Sequence, residues 1–324
     1  SILGMSIAIT AAFHMYFFAY KELSTDSFHK KRKEIYRVLR EDKNTNLRHS
    51  GNFLPLGALL KEKLPEVIEF ARIIPLRPHT FYNKGKQSIQ ELSFVDPTLF
   101  KLFNFKLIAG TNKEFNETPN GIIISEKVAK NLFKGNENPI GKIIQFSKYQ
   151  DPKKWQLQIT GILKNIPETS TIQGDYFINF SQYETMLGKN KENYKWSFLD
   201  TDLYIHVSKK TDLKLLSQKI TSSLLNEVNS TREKYKLTKE YNQFNLQVFD
   251  DLYFTSSDIV DQKKKGSKQF VNIIILIAML TLLLATTNYI IMNLGLNLNR
   301  SKELKLRRTL GASKKTLFFQ LSAE

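Results

Sequence analysis

The sequence contains no cysteine, and this absence excludes two classes of protein. A disulfide-stabilised secreted domain and a thiolate metal site both require cysteine. The chain is also not a disordered polycation, because its net charge of +17 is accompanied by 12% aromatic and 41% hydrophobic residues. A chain of 324 residues with this apolar content is long enough for about two folded domains.

Charged side chains are absent from two long stretches. Residues 1–20 and 269–299 contain no Asp, Glu, Lys or Arg. Because about 20 apolar residues suffice for a helix to cross the hydrocarbon core, we predict transmembrane helices at 1–20 and 269–297. The second stretch shows no charges at helical spacing over about eight turns, unlike a core helix with one solvent-facing side.

The first stretch has a rival interpretation, a cleaved signal peptide. It has no initiating Met, no basic region at its start and no clear small-x-small site before Lys21. Aromatic residues crowd its end, as at a membrane interface. We therefore favour a helix whose upstream turn is missing, and we expect the chain to be a fragment that also stops early, at Glu324.

Motifs for catalysis, metal binding and nucleotide binding are absent from the sequence. The five histidines lack HxxxH or HExxH spacing, and no GxSxG occurs. Gly135–Lys142 (GNENPIGK) has five residues between its glycines, where a phosphate loop has four, and Ile143 follows it where Ser or Thr should stand. Asp250 and Asp251 are adjacent, which favours a solvated turn. We predict a non-enzymatic chain without catalytic, cofactor-binding or metal-binding residues.

The segment between the two stretches, residues 21–268, is basic but of mixed charge. Its lysines are dispersed among Glu and Asp rather than concentrated in a stripe with stacking aromatics, so we predict no nucleic-acid partner. Hydrophobic periodicity indicates strand–helix–strand units at both ends and a more β-rich middle. It predicts a helix over Leu54–Phe70, a strand at Gly121–Ile124 followed by the helix Glu126–Phe133 with Ser125 as its cap, and a strand at Asp202–Val207. The fold class predicted from this pattern is α+β, as a two-lobed domain at 21–268.

The last segment, residues 298–324, is the densest basic stretch. Its basic residues outnumber the four that precede the second apolar stretch in 250–268, which favours a cytoplasmic C-terminus and an extracytoplasmic domain, although Lys30–Lys33 opposes this orientation. Attraction to anionic lipid alone would explain such charge. The pattern is more particular, because Glu303–Leu310 predicts a short helix, Gly311 a stop and Ser313 the cap of a second helix.

The sequence of this segment, KELKLRRTLGASKKTLFFQ, resembles the cytoplasmic loop of FtsX-like, MacB-type ABC transporter permeases, commonly of the form KEIGIRKxLGAS. Three further stretches resemble the same family in the same order. They are ELSTDSFHKKRKEIYRV (Glu22–Val38), FVDPTLFKLFNFKLIAG (Phe94–Gly110), and GIIISEKVAKNLFKGNENPIGKIIQF (Gly121–Phe146) with ITGILKNIPETS (Ile159–Ser170). The sequence departs from the family at Leu304–Leu306, where Lys305 replaces a common Gly.

The resemblance implies a permease subunit whose MacB-like core domain, between the two spans, has a porter-like βαβ lobe and an inserted β-rich lobe. It implies a partner ABC ATPase, membrane lipid and a second permease half, in the bacterial inner membrane. A periplasmic adaptor, an outer-membrane channel and the cargo are left open. The ATPase contact it implies comprises Glu303, Arg307, Arg308, Gly311, Ala312 and Ser313.

One rival function has the same layout. A membrane sensor also places a ligand-binding domain between two spans and signals through the second. A sensor should continue beyond residue 324 into a heptad-patterned helical linker, whereas a permease should continue into further apolar spans.

Overall fold

A computed structural model describes the chain except residues 1, 43–44, 84–85, 134–136, 149–150, 152, 189–195, 197–198, 200, 235–242, 262 and 310–324. The chain divides into two units. One comprises residues 1–24 and 267–324, and the other is a compact domain at Thr25–Gly266.

The first unit contains two long helices, α1 (Ile2–Leu23) and α9 (Lys268–Thr309), which pack against each other. Both are long and apolar enough to cross a membrane, over Leu3–Leu23 and Lys268–Gly295. The hydroxyls of Thr281, Thr286 and Thr287 donate to carbonyls one turn earlier in α9. These polar side chains are therefore satisfied within their own helix, as a hydrocarbon environment requires.

The domain begins with strand β1 and ends with the short strand β13. Its strands are β1 (Ile35–Glu41), β2 (Arg48–His49), β3 (Gly51–Asn52), β4 (Val67–Asn83), β5 (Lys86–Val95), β6 (Leu107–Gly110), β7 (Gly121–Ser125), β8 (Ile143–Lys148), β9 (Trp155–Leu163), β10 (Tyr176–Asn179), β11 (Thr201–Val207), β12 (Gln243–Val248) and β13 (Ile259–Val260). Its helices are α2 (Leu56–Lys63), α3 (Leu99–Leu102), α4 (Asn112–Glu117), α5 (Glu126–Leu132), α6 (Phe180–Leu187), α7 (Leu213–Lys234) and α8 (Leu252–Thr255), with a 3-10 turn at Phe249–Asp251.

The core lobe is formed by four antiparallel neighbours in the order β12-β1-β11-β4. Helix α2 lies on the connection from β1 to β4, and α7 on that from β11 to β12. In each crossover the two linked strands are parallel, with one strand between them, which is the split βαβ arrangement. One face of this sheet packs on both helices through the side chains of Val38, Leu60, Leu203, Leu216 and Ile220.

The inserted lobe (residues 75–187) begins within β4 and ends before β11. The outer half of β4 pairs with β5 and with β8, and the ring continues through β9, β7 and β10 back to β5. These six strands form a closed barrel. Its interior is apolar and includes Phe81, Phe94, Ile122, Ile124, Phe146, Leu157 and Ile178.

The two lobes share a third apolar cluster. The core lobe contributes Ile35, Tyr204 and Phe249, and the inserted lobe contributes Phe103 and Phe177. The α+β fold class and the division into two lobes, predicted from the sequence, are confirmed. Because the lobes share a continuous sheet and an apolar cluster, the domain is one body.

Local sequence signals account for several element boundaries. Ser125 accepts a hydrogen bond from the Val128 amide and begins α5, as predicted, and Lys130 pairs with Glu126 at 2.6 Å. A helix was expected over Leu54–Phe70, but α2 ends at Lys63 and β4 begins at Val67. Pro65 disfavours helical geometry for the residue before it, and the following apolar residues pair with β11 instead.

Candidate functional site: the linkers between the domain and the apolar helices

The predicted ATPase-contact residues lie partly in α9. Glu303, Arg307 and Arg308 belong to this one helix, which continues without a break from the apolar stretch to Thr309. At a rise of about 1.5 Å per residue, its 42 residues are about 63 Å long, roughly twice the hydrocarbon thickness. Gly311, Ala312 and Ser313 lie outside the described residues, so the elbow and the contact stay predictions.

The first linker (residues 25–32) follows α1 and is fixed at Asp26. This residue has a left-handed backbone with φ of 57° and is buried. Its amide donates to the Thr169 carbonyl at 2.8 Å, and its carboxylate accepts from the Thr171 amide at 2.9 Å and hydroxyl at 2.6 Å. Burial raises the pKa of Asp26, although the Thr171 hydrogen bonds oppose it. The linker is thus joined to the inserted lobe.

His29 is a second fixed point in the first linker. It is only 1% exposed and lies among the rings of Phe103, Phe105 and Phe249, with centroids 5.1 to 5.5 Å away. Its Nδ1 accepts a hydrogen bond from the Asn104 amide at 3.0 Å, whereas Nε2 has no hydrogen-bond partner among the described residues. Burial lowers the pKa of His29 to about 3, so the ring is neutral near pH 7.

The second linker (residues 256–266) precedes α9 and is fixed by a buried arginine of β1. The guanidinium of Arg37 donates to Gln247, to the Ser256 hydroxyl at 3.0 Å and to the Asp261 carboxylate at 2.5 Å. The side chains of Arg37 and Asp261 are 0% and 2% exposed. Both charged side chains of this ion pair are therefore shielded from water.

Lys263 extends the same network to β11. Its ammonium lies 2.9 Å from the Asp202 carboxylate and 5.7 Å from the centroid of the Tyr204 ring. Burial alone would lower the pKa of Lys263, but the Asp202 charge and Tyr204 outweigh it and raise this pKa. Asp261 also pairs with Lys265 at 3.3 Å. Two adjacent strands of the core lobe are thereby tied to the second linker.

A cavity of about 310 Å³ lies between the anchoring points of the two linkers. Its wall includes Thr171, which holds Asp26, and Asp202, Asp261 and Lys263, which hold the second linker. Ile73, Pro75, Leu76 and Ile172 add an apolar part. The charge of Lys263 also lowers the pKa of Asp26, as a smaller effect than burial, so the two linkers interact electrostatically within the domain.

Sequence reasoning did not single out Asp26, His29, Arg37 or Lys263. One signal was available for Arg37, because it alternates with Ile35 and Leu39 and so shares their buried face. Among the described residues, no group of three or more His, Asp and Glu side chains is placed to hold a metal ion. The side chains of the linkers instead attach the linkers to the domain, through buried ion pairs and hydrogen bonds.

The architecture is that of a two-lobed α+β domain carried between two apolar helices, and comparison with known proteins identifies its family. The family model described as the MacB-like periplasmic core domain matches residues 1–223. The chain therefore belongs to this family, which confirms the relationship predicted from its sequence motifs. A search of curated proteins finds no match.

Three solved structures are similar to this chain at low sequence identity. A domain described as part of a permease protein from Porphyromonas gingivalis superposes with a TM-score of 0.51 at 14% identity, covering 78% of this chain and 99% of that one. The periplasmic region of MacB from Actinobacillus actinomycetemcomitans gives 0.44 at 14% identity, covering 68% and 90%. The extracellular domain of the ABC-type transporter YknZ from Gram-positive bacteria gives 0.45 at 14% identity, covering 66% and 99%. At these identities the first match supports the fold alone.

Proposed function

We propose that the chain is the permease subunit of a mechanotransmission-type ABC transporter. In this function, ATP hydrolysis by a partner ATPase is converted into a conformational change of the extracytoplasmic domain. The observation that carries the proposal is the family match over residues 1–223, which includes the first apolar helix and most of the domain. The second apolar helix begins beyond the match, at Lys268. The proposed location is the bacterial inner membrane, with Thr25–Gly266 outside the cytoplasm.

Helix α9 supports the position of the ATPase contact. Its length exceeds the hydrocarbon thickness by several turns. The basic residues at its end, including Arg307 and Arg308, would therefore stand beyond the membrane on the side opposite the domain. There they can meet a protein partner and the anionic lipid surface at once. Glu303, Gly311, Ala312 and Ser313 complete the proposed contact.

The proposed assembly contains two permease halves and a separate ATPase. A separate ATPase accords with the sequence, in which Gly135–Lys142 lacks the spacing of a phosphate loop. The cargo class is a peptide, a small drug or a lipoprotein that is exported or released. A periplasmic adaptor and an outer-membrane channel are further components that the same assembly can accommodate.

Reversing the charge of the proposed contact tests the function. We expect the double substitution Arg307→Glu and Arg308→Glu in the full-length protein to abolish its stimulation of the partner ATPase, because both cations would meet the partner with the wrong sign. The matched control is Lys153→Glu and Lys154→Glu, which reverses two adjacent cations that lie over Trp155 and Tyr82 in the inserted lobe.

The measurements are copurification with the ATPase and the rate of ATP turnover in nanodiscs. The control should copurify and stimulate as the parent does. Unchanged stimulation by the Arg307/Arg308 variant would remove these residues from the contact. If no ATPase copurifies with the parent protein and a signalling domain follows its second span, the permease function is wrong and the sensor is favoured.

A further inference from the structure

The cavity between the two linkers is bordered by an irregularity in the sheet. The register of β4 against β5 shifts between Ile74 and Arg77. Within this shift, Pro75 and Leu76 stand opposite the single residue Ser93. This arrangement is a β-bulge, which bends its strand and is frequent at barrel rims and beside functional sites. Pro75, Leu76 and Ser93 all line the cavity, so the bulge forms part of its wall.

Most of the charges in the cavity wall are already paired. Lys263 pairs with Asp202 at 2.9 Å, and Asp261 forms two further ion pairs. Two exposed side chains of opposite charge remain, Glu91 on β5 and Lys264 in the second linker. Neither has an ion-pair partner among the described residues. The wall therefore offers one carboxylate and one ammonium group to a ligand.

Uncharged polar side chains in the wall also have unused hydrogen-bonding capacity. Ser50 and Ser93 are 6% and 2% exposed, and within the described part of the chain their hydroxyls have no hydrogen-bond partner. Gln173 donates through Nε2 to the carbonyls of Pro167 and Ser170, both at 2.8 Å, so its Oε1 is left as an acceptor. Because buried polar groups are ordinarily hydrogen-bonded, these three side chains favour a polar occupant.

A further part of the wall is apolar. It is formed by Ile73, Pro75, Leu76 and Ile172. At about 310 Å³, the cavity is at the lower end of the roughly 300–1,000 Å³ that small-molecule sites occupy. Its size and lining therefore suit a small molecule that combines one apolar group with an ammonium group and a carboxylate.

We propose that this cavity binds a small zwitterion with one apolar side chain, the chemistry that an apolar amino acid and an apolar dipeptide share. Glu91 receives the ammonium group of the ligand, and Lys264 receives its carboxylate. The apolar side chain packs against Ile73 and Ile172, and the Ser93 hydroxyl supplies a further hydrogen bond. The inference goes beyond the proposed function and does not depend on it, because neither a partner ATPase nor a transport step enters it.

The test measures equilibrium binding to the full-length protein in nanodiscs, with empty nanodiscs as the background. The probes are radiolabelled leucine and leucyl-leucine, which separate the two sources of the proposed chemistry. We expect saturable binding of at least one probe below about 1 mM. Glycine has the same two charges but no side chain, and it should bind at least about tenfold more weakly than leucine, because it buries no apolar group.

Two variants and two modified probes locate the charged ends of the ligand. Glu91→Gln should weaken leucine binding about fivefold or more but leave the binding of N-acetylleucine, which has no ammonium group, unchanged. Lys264→Met should weaken leucine binding to a similar extent but leave the binding of leucinamide, which has no carboxylate, unchanged. The matched control is Lys113→Met, which removes a lysine that is 81% exposed on α4, outside the cavity. This control should bind leucine as the parent does.

Three results would overturn the proposal. Absence of saturable binding of both leucine and leucyl-leucine up to about 1 mM would mean that the cavity holds only water. Unchanged leucine affinity in both cavity variants would place the bound ligand elsewhere on the protein. Tighter binding of phosphoethanolamine, a zwitterion of lipid headgroups, than of either probe would assign the cavity to a lipid instead. Because the partner ATPase is not used, these results leave the proposed function to its own test.

Discussion

The buried pair of Arg37 and Asp261 gives a prediction whose size follows from the structure. Arg37→Met removes a guanidinium that makes four hydrogen bonds to three side chains, and it leaves Asp261 only 2% exposed. Breaking a buried pair in this way costs about 3–5 kcal/mol. Because Lys265 still lies 3.3 Å from Asp261, we expect the lower end, about 3 kcal/mol.

The measurement is urea unfolding of Thr25–Gly266, produced without the apolar helices. Since domains are stable by only about 5–15 kcal/mol, a loss of this size should move the midpoint clearly while leaving the m value unchanged. The matched control is Arg48→Met, which breaks the pair with Asp258, whose side chains are 32% and 57% exposed. It should cost less than about 1 kcal/mol. Equal losses in the two variants would refute the reasoning from burial.

Two further predictions concern a buried histidine and two glycines. The unfolded chain protonates His29 near pH 6.5 and the domain only near pH 3. The free energy of unfolding should therefore fall by about 1.4 kcal/mol for each pH unit between pH 6.5 and about 3, and His29→Gln should remove that part of the slope in urea titrations at several pH values. An unchanged slope would contradict the burial of a neutral ring. Gly110→Ala should lower the free energy of unfolding by more than about 2 kcal/mol in the same assay, because φ is +74° and the added Cβ would lie 2.0 Å from the Thr160 carbonyl oxygen. Gly141→Ala is the matched control, since its φ is +83° but its Cβ would meet no atom within 4 Å, and it should lower the free energy of unfolding by only about 1 kcal/mol. Equal costs would mean that Gly110 is needed for its backbone angle alone.

Elements with local signals were predicted well from the sequence. The strand at Gly121–Ser125 and the helix that Ser125 caps depend on residues within one or two turns of each other. The alternating apolar residues of Asp202–Val207 likewise predicted a strand, which the structure has at Thr201–Val207. The extent of α2 was overestimated, because the apolar spacing continues past Pro65 into residues that β4 uses. Periodicity alone does not show where a helix yields to a strand.

Features made by distant residues were not predictable in this way. The barrel closes through the pairing of β4 with β8. The register of this pairing cannot be deduced from the sequence of either strand alone. Arg37 and Asp261 are 224 residues apart, and charged residues are ordinarily placed at the surface. The KKK run of the second linker gives no sign that Lys263 pairs with the buried Asp202 or that Lys265 pairs with the buried Asp261. The buried contacts of the linkers were therefore not predicted, whereas the basic character of the end of α9 was evident from its composition.

The closed barrel of the inserted lobe has a consequence for the edges of its strands. A strand at an open edge offers its unpaired amides and carbonyls to any other strand, and so restricts which neighbouring sequences are safe. Each of the six barrel strands has a neighbour on both sides within the ring, and β4 and β9 also pair with β11 and β6 outside it. Within the described residues of the ring, consequently, no barrel strand is left with an open edge. The shape of the lobe is therefore set by the paired strands of the ring and not by the loops that join them.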